Sequence, residues 1–391
     1  MEIIYKTKEL KKCAEDAKYS IKANVSQLIT VHHPGVVLDE KLKEMGMSIK
    51  EFALRVTKPE KTIIAVINGD SSITTEMAVS FEAVTKIPAS FWLRNQLLYD
   101  EYVERRKREQ EAEEYIDWMR QFPYAEMAKR GWVPNEKTPA GRVKNLLAFF
   151  GLASPKAWND YYLGEKLKLA FRISLAPAKD PHAMSAWLRQ GELQATAIDA
   201  QVPFNEKKLK TTIPAIKQLI IQEPEDFFSQ LQALCLSCGV ILIATPSLPK
   251  APINGATRWI KDTPVIQLSG RYKGYDHFWF NFFHEIGHIL RHGKKDIFLE
   301  SAAYTGQDTE KEQEANSFAS ETLIPSTTIL DILEHVQLSE DGINTAAAIY
   351  QTHPAIIVGR LKYLGVLQYW EGQNYNKRID LFDDESKTQI T

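Results

Sequence analysis

The stretch His284-Glu285-Ile286-Gly287-His288 decides how this chain is read. On an α-helix, positions i and i+4 share a face, so His284 and His288 can aim at one ion. Glu285 then points to the side, where it can hold a water on that ion. Two imidazoles, a third protein ligand and one open position make the donor set of a catalytic zinc, which lowers the pKa of its water to about 7. Glu285 can take the proton and pass it to a leaving amine, so the spacing implies metal-assisted amide hydrolysis. The flanks supply the helix. Phe278, Trp279, Phe282, Phe283, Ile286, Ile289 and Leu290 recur at helical spacing, and Gly293 after His292 is the expected stop.

The pentapeptide is short enough to arise by chance, so it calls for a third ligand. Residues 310–323 read as a second helix with an apolar stripe of Ala315, Phe318, Ala319, Thr322 and Leu323, ended by Pro325. Two glutamates compete on it. Glu312 precedes Ala315 and Asn316 by three and four positions, which puts it on the stripe that faces the protein. Glu314 lies nearer the other edge and is the alternative. His292 follows His288 on the same face, but one more turn carries it about 6 Å further along the axis. That is too far for the same ion, and a capping role is expected instead.

Glu312-x-x-Ala315-Asn316 resembles the E-x-x-A-D signature of gluzincin metallopeptidases. The resemblance implies that Glu312 binds zinc and that Asn316 orients His284 from behind. Asn316 in place of the acid keeps an acceptor and loses a charge. With Leu323-Ile324-Pro325 added, the set resembles the ImmA/IrrE family of metallopeptidases, from about Phe227 to about Pro325. That family implies a small gluzincin-like domain with helices around a short sheet whose edge strand receives an extended polypeptide. Residues 239–244 and 264–269, apolar and β-branched, are the strand candidates. Residues 251–259 read as a turn-rich loop lining the cleft. Arg271, Tyr272 and His277 are candidates for stabilising an oxyanion.

A second pattern lies near the other end. His33-Pro34-Gly35 opens a run of short amphipathic segments. Ser48-Ile49-Lys50-Glu51 is a capping box starting a helix through Val56. Glu60 to Ile67 is the next, stopped by Asn68-Gly69, and Thr74 to Thr85 a third. Pro88 starts a long charged helix through about Glu114. The succession is a helix-turn-helix pattern. His33-Pro34-Gly35, Lys61-Thr62-Ile63, Asn68-Gly69, Ile73-Thr74, Glu76-Met77-Ala78 and Phe91-Trp92-Leu93 make residues 31 to about 105 similar to the HigA-type antitoxins of the Cro/repressor superfamily. The resemblance implies a homodimer on a palindromic operator, with the helix from Pro59 in the major groove. This chain departs from that pattern where bases are read. It presents Glu60, Ile64 and Ala65, and has Ile49 where such repressors often carry Gln. Lys58 and Lys61 remain as the candidate DNA contacts. The first 115 residues carry about as many acids as bases, so no basic footprint shows and DNA binding is expected to be weak to moderate. The competing reading reuses the fold to bind a protein, with Ile49 and Ile64 in an apolar patch.

The chain has 391 residues and a formal net charge of −2, which implies no broad polyanion-binding surface. No apolar signal segment and no run near about 18 apolar residues appear, so a cytoplasmic, membrane-free protein is expected. Three cysteines fit a reducing compartment, and Cys235-Leu236-Ser237-Cys238 lacks the partners of a structural zinc site and reads as buried thiols. Arg105-Arg106-Lys107-Arg108 reads as part of a solvated helix. The last dozen residues are polar and read as frayed.

The fold expected is mainly α, of α+β type. It comprises an arm over 1–30, a five-helix helix-turn-helix domain with its charged connecting helix over 31–115, and a helical scaffold over 116–215. A metallopeptidase domain with a small β-sheet over 216–325 and a helical extension over 326–391 follow. The expected function is a transcriptional regulator whose zinc peptidase cleaves a partner repressor or antitoxin. The alternative is a HigA-like antitoxin and autorepressor whose zinc domain senses or binds a partner, such as a toxin, without hydrolysis.

Overall fold

The structure is a computed structural model and describes residues 31–166, 180–271, 273–292, 298–300 and 307–382. The expected arm over 1–30, the stop at Gly293, Tyr272 and most of the polar C-terminal tail lie outside them. The chain divides into two compact units that meet between Glu111 and Ala112. It is mainly helical with one small sheet, and no helix among the described residues is long and apolar enough to cross a membrane.

The first unit begins with α1 (Pro34–Glu44), α2 (Ile49–Arg55) and α3 (Glu60–Ile67). It continues with α4 (Thr75–Thr85) and α5 (Ala89–Glu114). Local chemistry starts three of them. The His33 ring accepts from the Gly35 N–H, Ser48 from Glu51 and Thr74 from Met77. Gly35 has a second reason. A Cβ there would sit 1.9 Å from the Val66 carbonyl oxygen, so only glycine lets the start of α1 meet the end of α3. Leu38, Phe52, Ile63, Val66, Phe81 and Trp92 fill the core behind these helices. The positively charged run of α5 is neutralised along the helix. Arg105 pairs with Glu101 and Arg108 with Glu104, as a solvated helix requires.

In the second unit, α6 (Ile116–Arg120), α7 (Tyr124–Lys129), α8 (Pro139–Phe150), α9 (Pro155–Trp158) and α10 (Pro181–Thr196) build an aromatic core. Trp118, Phe122, Phe150, Trp158 and Trp187 meet in it. Next come α11 (Glu206–Gln222) and α12 (Phe227–Ser237). The sheet is formed by β1 (Ile241–Ala244), β2 (Gly255–Ile260), β3 (Thr263–Leu268) and β4 (Phe298–Glu300) in the order β1-β3-β2-β4. β1 runs parallel to β3, and β2 is antiparallel to both β3 and β4.

One element differs from the sequence reading. Residues 251–259, expected as a loop, contain most of β2, which is interior to the sheet. Asn254-Gly255 reads as a turn, and Thr257 and Arg258 break the apolar pattern of a strand. Both polar side chains are nonetheless buried and employed. Arg258 Nη2 donates to the Leu188 carbonyl at 2.7 Å, and the Thr257 hydroxyl points to the next helix. The edges belong to β1 and β4. On β1, the side-chain amides of Gln232 and Gln194 donate to the Leu242 and Ala244 carbonyls, which occupies that edge.

The sheet is covered by α13 (Tyr275–Arg291), which packs against α14 (Gln307–Leu323). Behind them lie α15 (Ser326–His335), α16 (Glu340–Ile349) and α17 (Pro354–Tyr363). Ile329, Ile332, Ala346, Ile356, Ile357 and Leu361 join Phe278, Trp279, Phe282 and Phe283 in one core. Burying side chains of this size stabilises by about 1.5–3 kcal/mol each. Cys235 and Cys238 are buried free thiols, and burial pushes the Cys235 thiol well up.

Candidate metal centre

The apolar face of α13 faces the core so strongly that it takes polar residues inside with it. His284, Glu285 and His288 are all 1% exposed or less. A buried polar group needs partners, and these have them. His284 Nε2 lies 3.2 Å from one Glu312 carboxylate oxygen and His288 Nε2 lies 3.2 Å from the other. The two Nε2 atoms are 2.9 Å apart. Donors held about 2.0–2.1 Å from a tetrahedral ion would be roughly 3.3 Å apart, so this triangle has the dimensions of a metal site. One ligand atom from each of the three residues lies within 4.8 Å of the others. Two imidazoles and a carboxylate are also the donor chemistry that zinc takes.

The electrostatics favour donors without protons. Burial would raise the Glu312 carboxyl, but the His284 and His288 imidazoles beside it outweigh that and hold it at about 2. Burial lowers His288 to about 4, against the pull of Glu312. At neutral pH Glu312 is therefore ionised and His288 neutral.

α14 meets α13 closely because both are small at the crossing. A Cβ on Gly287 would lie 3.1 Å from the Ala315 Cα and 3.2 Å from the Phe318 ring. Glu312 and Asn316 flank Ala315 on that face. Asn316 Oδ1 is 3.0 Å from His284 Nδ1, so it accepts the Nδ1 proton and leaves Nε2 turned to the triangle. Glu314, the alternative ligand, is not in the triangle. It lies 3.2 Å from His292 Nε2, and His292 Nδ1 lies 3.0 Å from His288 Nδ1. His292 is the C-cap residue of α13, and its N–H donates to the His288 carbonyl.

Two residues of this centre were missed in the sequence reading, both on β2. The Thr257 hydroxyl donates to Glu285 Oε2 at 2.5 Å. A Cβ on Gly255 would sit 2.4 Å from Glu285 Oε1, so glycine leaves the carboxylate its space. The available signal was Gly-x-Thr ahead of Trp259-Ile260, a two-residue period hidden by the turn-like Asn254-Gly255. Of the oxyanion candidates, His277 is exposed and sits seven residues before His284, about 10 Å along the same helix. Arg271 is exposed beyond the end of β3 and reaches the Pro252 carbonyl. A cavity of about 580 Å³ opens beside the centre, lined by Asn254, Asn281, Asn316, Ser320 and Arg360 among others.

In the first unit, Lys58 and Lys61 fare differently. Lys58 Nζ is paired with Glu76 at 2.8 Å, whereas Lys61 is exposed on α3 beside Glu60. Ile64 is 40% exposed. Ile49 is partly buried and packs against the core. Leu54 and Val79 are among the other exposed apolar residues of this unit.

Residues 241–362 match the Peptidase_M78 family model, described as the IrrE N-terminal-like domain. No curated protein matches the chain. Among solved structures, the chain is similar to an addiction module antidote protein of a HigA family from Coxiella burnetii. The identity is 29% over 22% of this chain and 95% of that chain, with a TM-score of 0.21. His284, Glu285, His288, Glu312 and Asn316 all fall inside the segment that matches the peptidase family.

Proposed function

We propose that this chain is a regulator whose second unit is a zinc metalloendopeptidase of gluzincin type, cleaving a partner repressor or antitoxin polypeptide. His284, His288 and Glu312 would hold the metal. When bound, zinc supplies a Lewis acid that polarises a carbonyl oxygen and acidifies a water. Glu285 is the base: it takes a proton from the attacking water and returns it to the leaving amine. Thr257 orients that carboxylate through its Oε2, and Asn316 fixes the His284 ring. The observation that carries this reading is the placement of Glu285. A purely structural metal site has no use for a buried carboxylate beside its donors, held by a hydroxyl and given room by a glycine.

The test is Glu285→Gln, which is nearly isosteric and cannot act as a base at neutral pH. The protein is co-expressed with a candidate partner repressor or antitoxin. Cleavage should vanish while one zinc per chain is retained. Undiminished cleavage in the Gln variant would remove the hydrolytic reading.

For the first unit we propose a homodimeric helix-turn-helix module on operator DNA, binding weakly to moderately through Lys58 and Lys61. A second reading, docking of a protein partner such as a toxin, is favoured by one observation. Glu76 already neutralises Lys58 while Leu54 and Ile64 are presented to solvent. Binding to the chain's own promoter at two salt concentrations separates them. A DNA module loses affinity with salt, and a docking module shows no binding at either.

A further inference from the structure

We infer that His292 and Glu314 form a proton-positioning relay that fixes the tautomer of His288, as Asn316 does for His284. The inference rests on the metal-centre reading above and adds two positioning residues to it. Its starting point is an asymmetry. His284 Nδ1 faces an amide oxygen, which can only accept. His288 Nδ1 faces the Nδ1 of a second histidine at 3.0 Å. Two ring nitrogens at that distance need one proton between them, and either ring could supply it.

Glu314 removes the ambiguity. Its Oε2 lies 3.2 Å from His292 Nε2, and a carboxylate only accepts, so the His292 proton belongs on Nε2. The neutral ring then has a bare Nδ1. His288 must donate to it from its own Nδ1. That leaves the His288 Nε2 lone pair in the triangle with His284 Nε2 and Glu312, where a metal ligand needs it. The opposite tautomer of His292 would place a proton on His288 Nε2 and block the donor. Geometry holds the relay in place. His292 ends α13 with an extended backbone, its N–H tied to the His288 carbonyl, so its ring turns back across the last turn. Its side chain is nearly buried, whereas Glu314 reaches it from the exposed side of α14. Partners of this kind behind a ligating histidine typically contribute 10–100-fold in metal affinity.

The experiment measures zinc affinity of the full chain by chelator competition. His292→Phe keeps a ring and removes both nitrogens, and it should weaken zinc binding 10–100-fold, as Asn316→Ala should. Glu314→Ala should weaken it several-fold. His292→Asn is the decisive variant. Its amide oxygen can stand where Nδ1 stood and can only accept, so affinity should stay within about threefold of the parent. In that background Glu314→Ala should have no further effect. Parental affinity in His292→Phe would overturn the relay. So would an equal Glu314→Ala effect in both backgrounds. A parent chain that binds no zinc removes the relay and the metal-centre reading together. A parent that binds zinc with this pattern but cleaves nothing leaves the relay standing and removes only hydrolysis.

Discussion

Each unit of this molecule carries a basic group paired with a glutamate, and the two pairs mean different things. In the first unit Lys58 meets Glu76 at the surface, with the Glu76 side chain 76% exposed. In the second, Glu312 meets His284 and His288 in the interior, with the imidazoles 1% exposed or less. A surface ion pair contributes at most about 1 kcal/mol and is readily exchanged for water or phosphate. A buried cluster of titratable groups is expensive to leave incomplete, so its persistence signals a purpose. Burial, more than the presence of charge, distinguishes the two pairs.

The strongest way to break this contrast is to remove the interior carboxylate. Glu312→Ala should lose stoichiometric zinc under conditions where Glu314→Ala retains it, a difference of about 100-fold or more in affinity, read by metal analysis after dialysis against a chelator. Zinc surviving in Glu312→Ala and lost in Glu314→Ala would transfer the ligand role to Glu314.

A second test uses pH on the zinc-free protein. The folded state holds His288 at about 4, below the usual 6.5 of an exposed histidine. Between those values the unfolded chain binds more protons, so stability rises with pH. The contribution is fully present above pH 6.5 and lost as pH drops toward 4, on the order of 3 kcal/mol. Denaturant unfolding at several pH values should show this slope, and His288→Asn should flatten it. Equal slopes in both proteins would mean that the interior histidine is not held neutral.

Gly255→Ala probes the space around the base. The added methyl meets Glu285 Oε1, so cleavage should slow by roughly 10–100-fold while zinc content is unchanged, because small misplacements of a catalytic group are costly. Unchanged turnover would show that the carboxylate has room elsewhere. The smallest effect belongs to the surface pair. Glu76→Gln frees Lys58, and promoter affinity should rise a few-fold, with the salt dependence steepening by about one counterion. No change on this substitution, with DNA binding present, would place the phosphate contacts outside Lys58.

Much of this was legible because local signals and tertiary needs agree. Ser48, Thr74 and Asn68-Gly69 mark helix ends through single hydrogen bonds or a single backbone preference, and α2, α3 and α4 stop and start beside them. The H-E-x-x-H spacing is geometric, and α13 places its two rings on one face. The failures have a common cause. β2 hides behind a turn-like Asn254-Gly255 and buried polar residues that only tertiary partners make tolerable. Ile49, placed on the reading face by its motif position, is partly buried against the core, a degree of burial that the motif does not encode. His292 was expected to cap, and it does, but the direction of its ring depends on Glu314 from another helix, which no local pattern encodes.

The close approach of Gly287 to Ala315 carries a lesson for recognising such centres in other chains. The glycine inside His284-Glu285-Ile286-Gly287-His288 and the alanine three residues after Glu312 have no lone pair and no proton to offer. They set the separation of the two helices, and through it the reach from each imidazole to the carboxylate. A search pattern that scores only the liganding letters treats these positions as free. One that requires a small residue at both, jointly, tests whether the two helices can approach closely enough for the donors to converge. A chain with all three donors but a leucine at either place would be a formal match to the motif and a physical mismatch to the site.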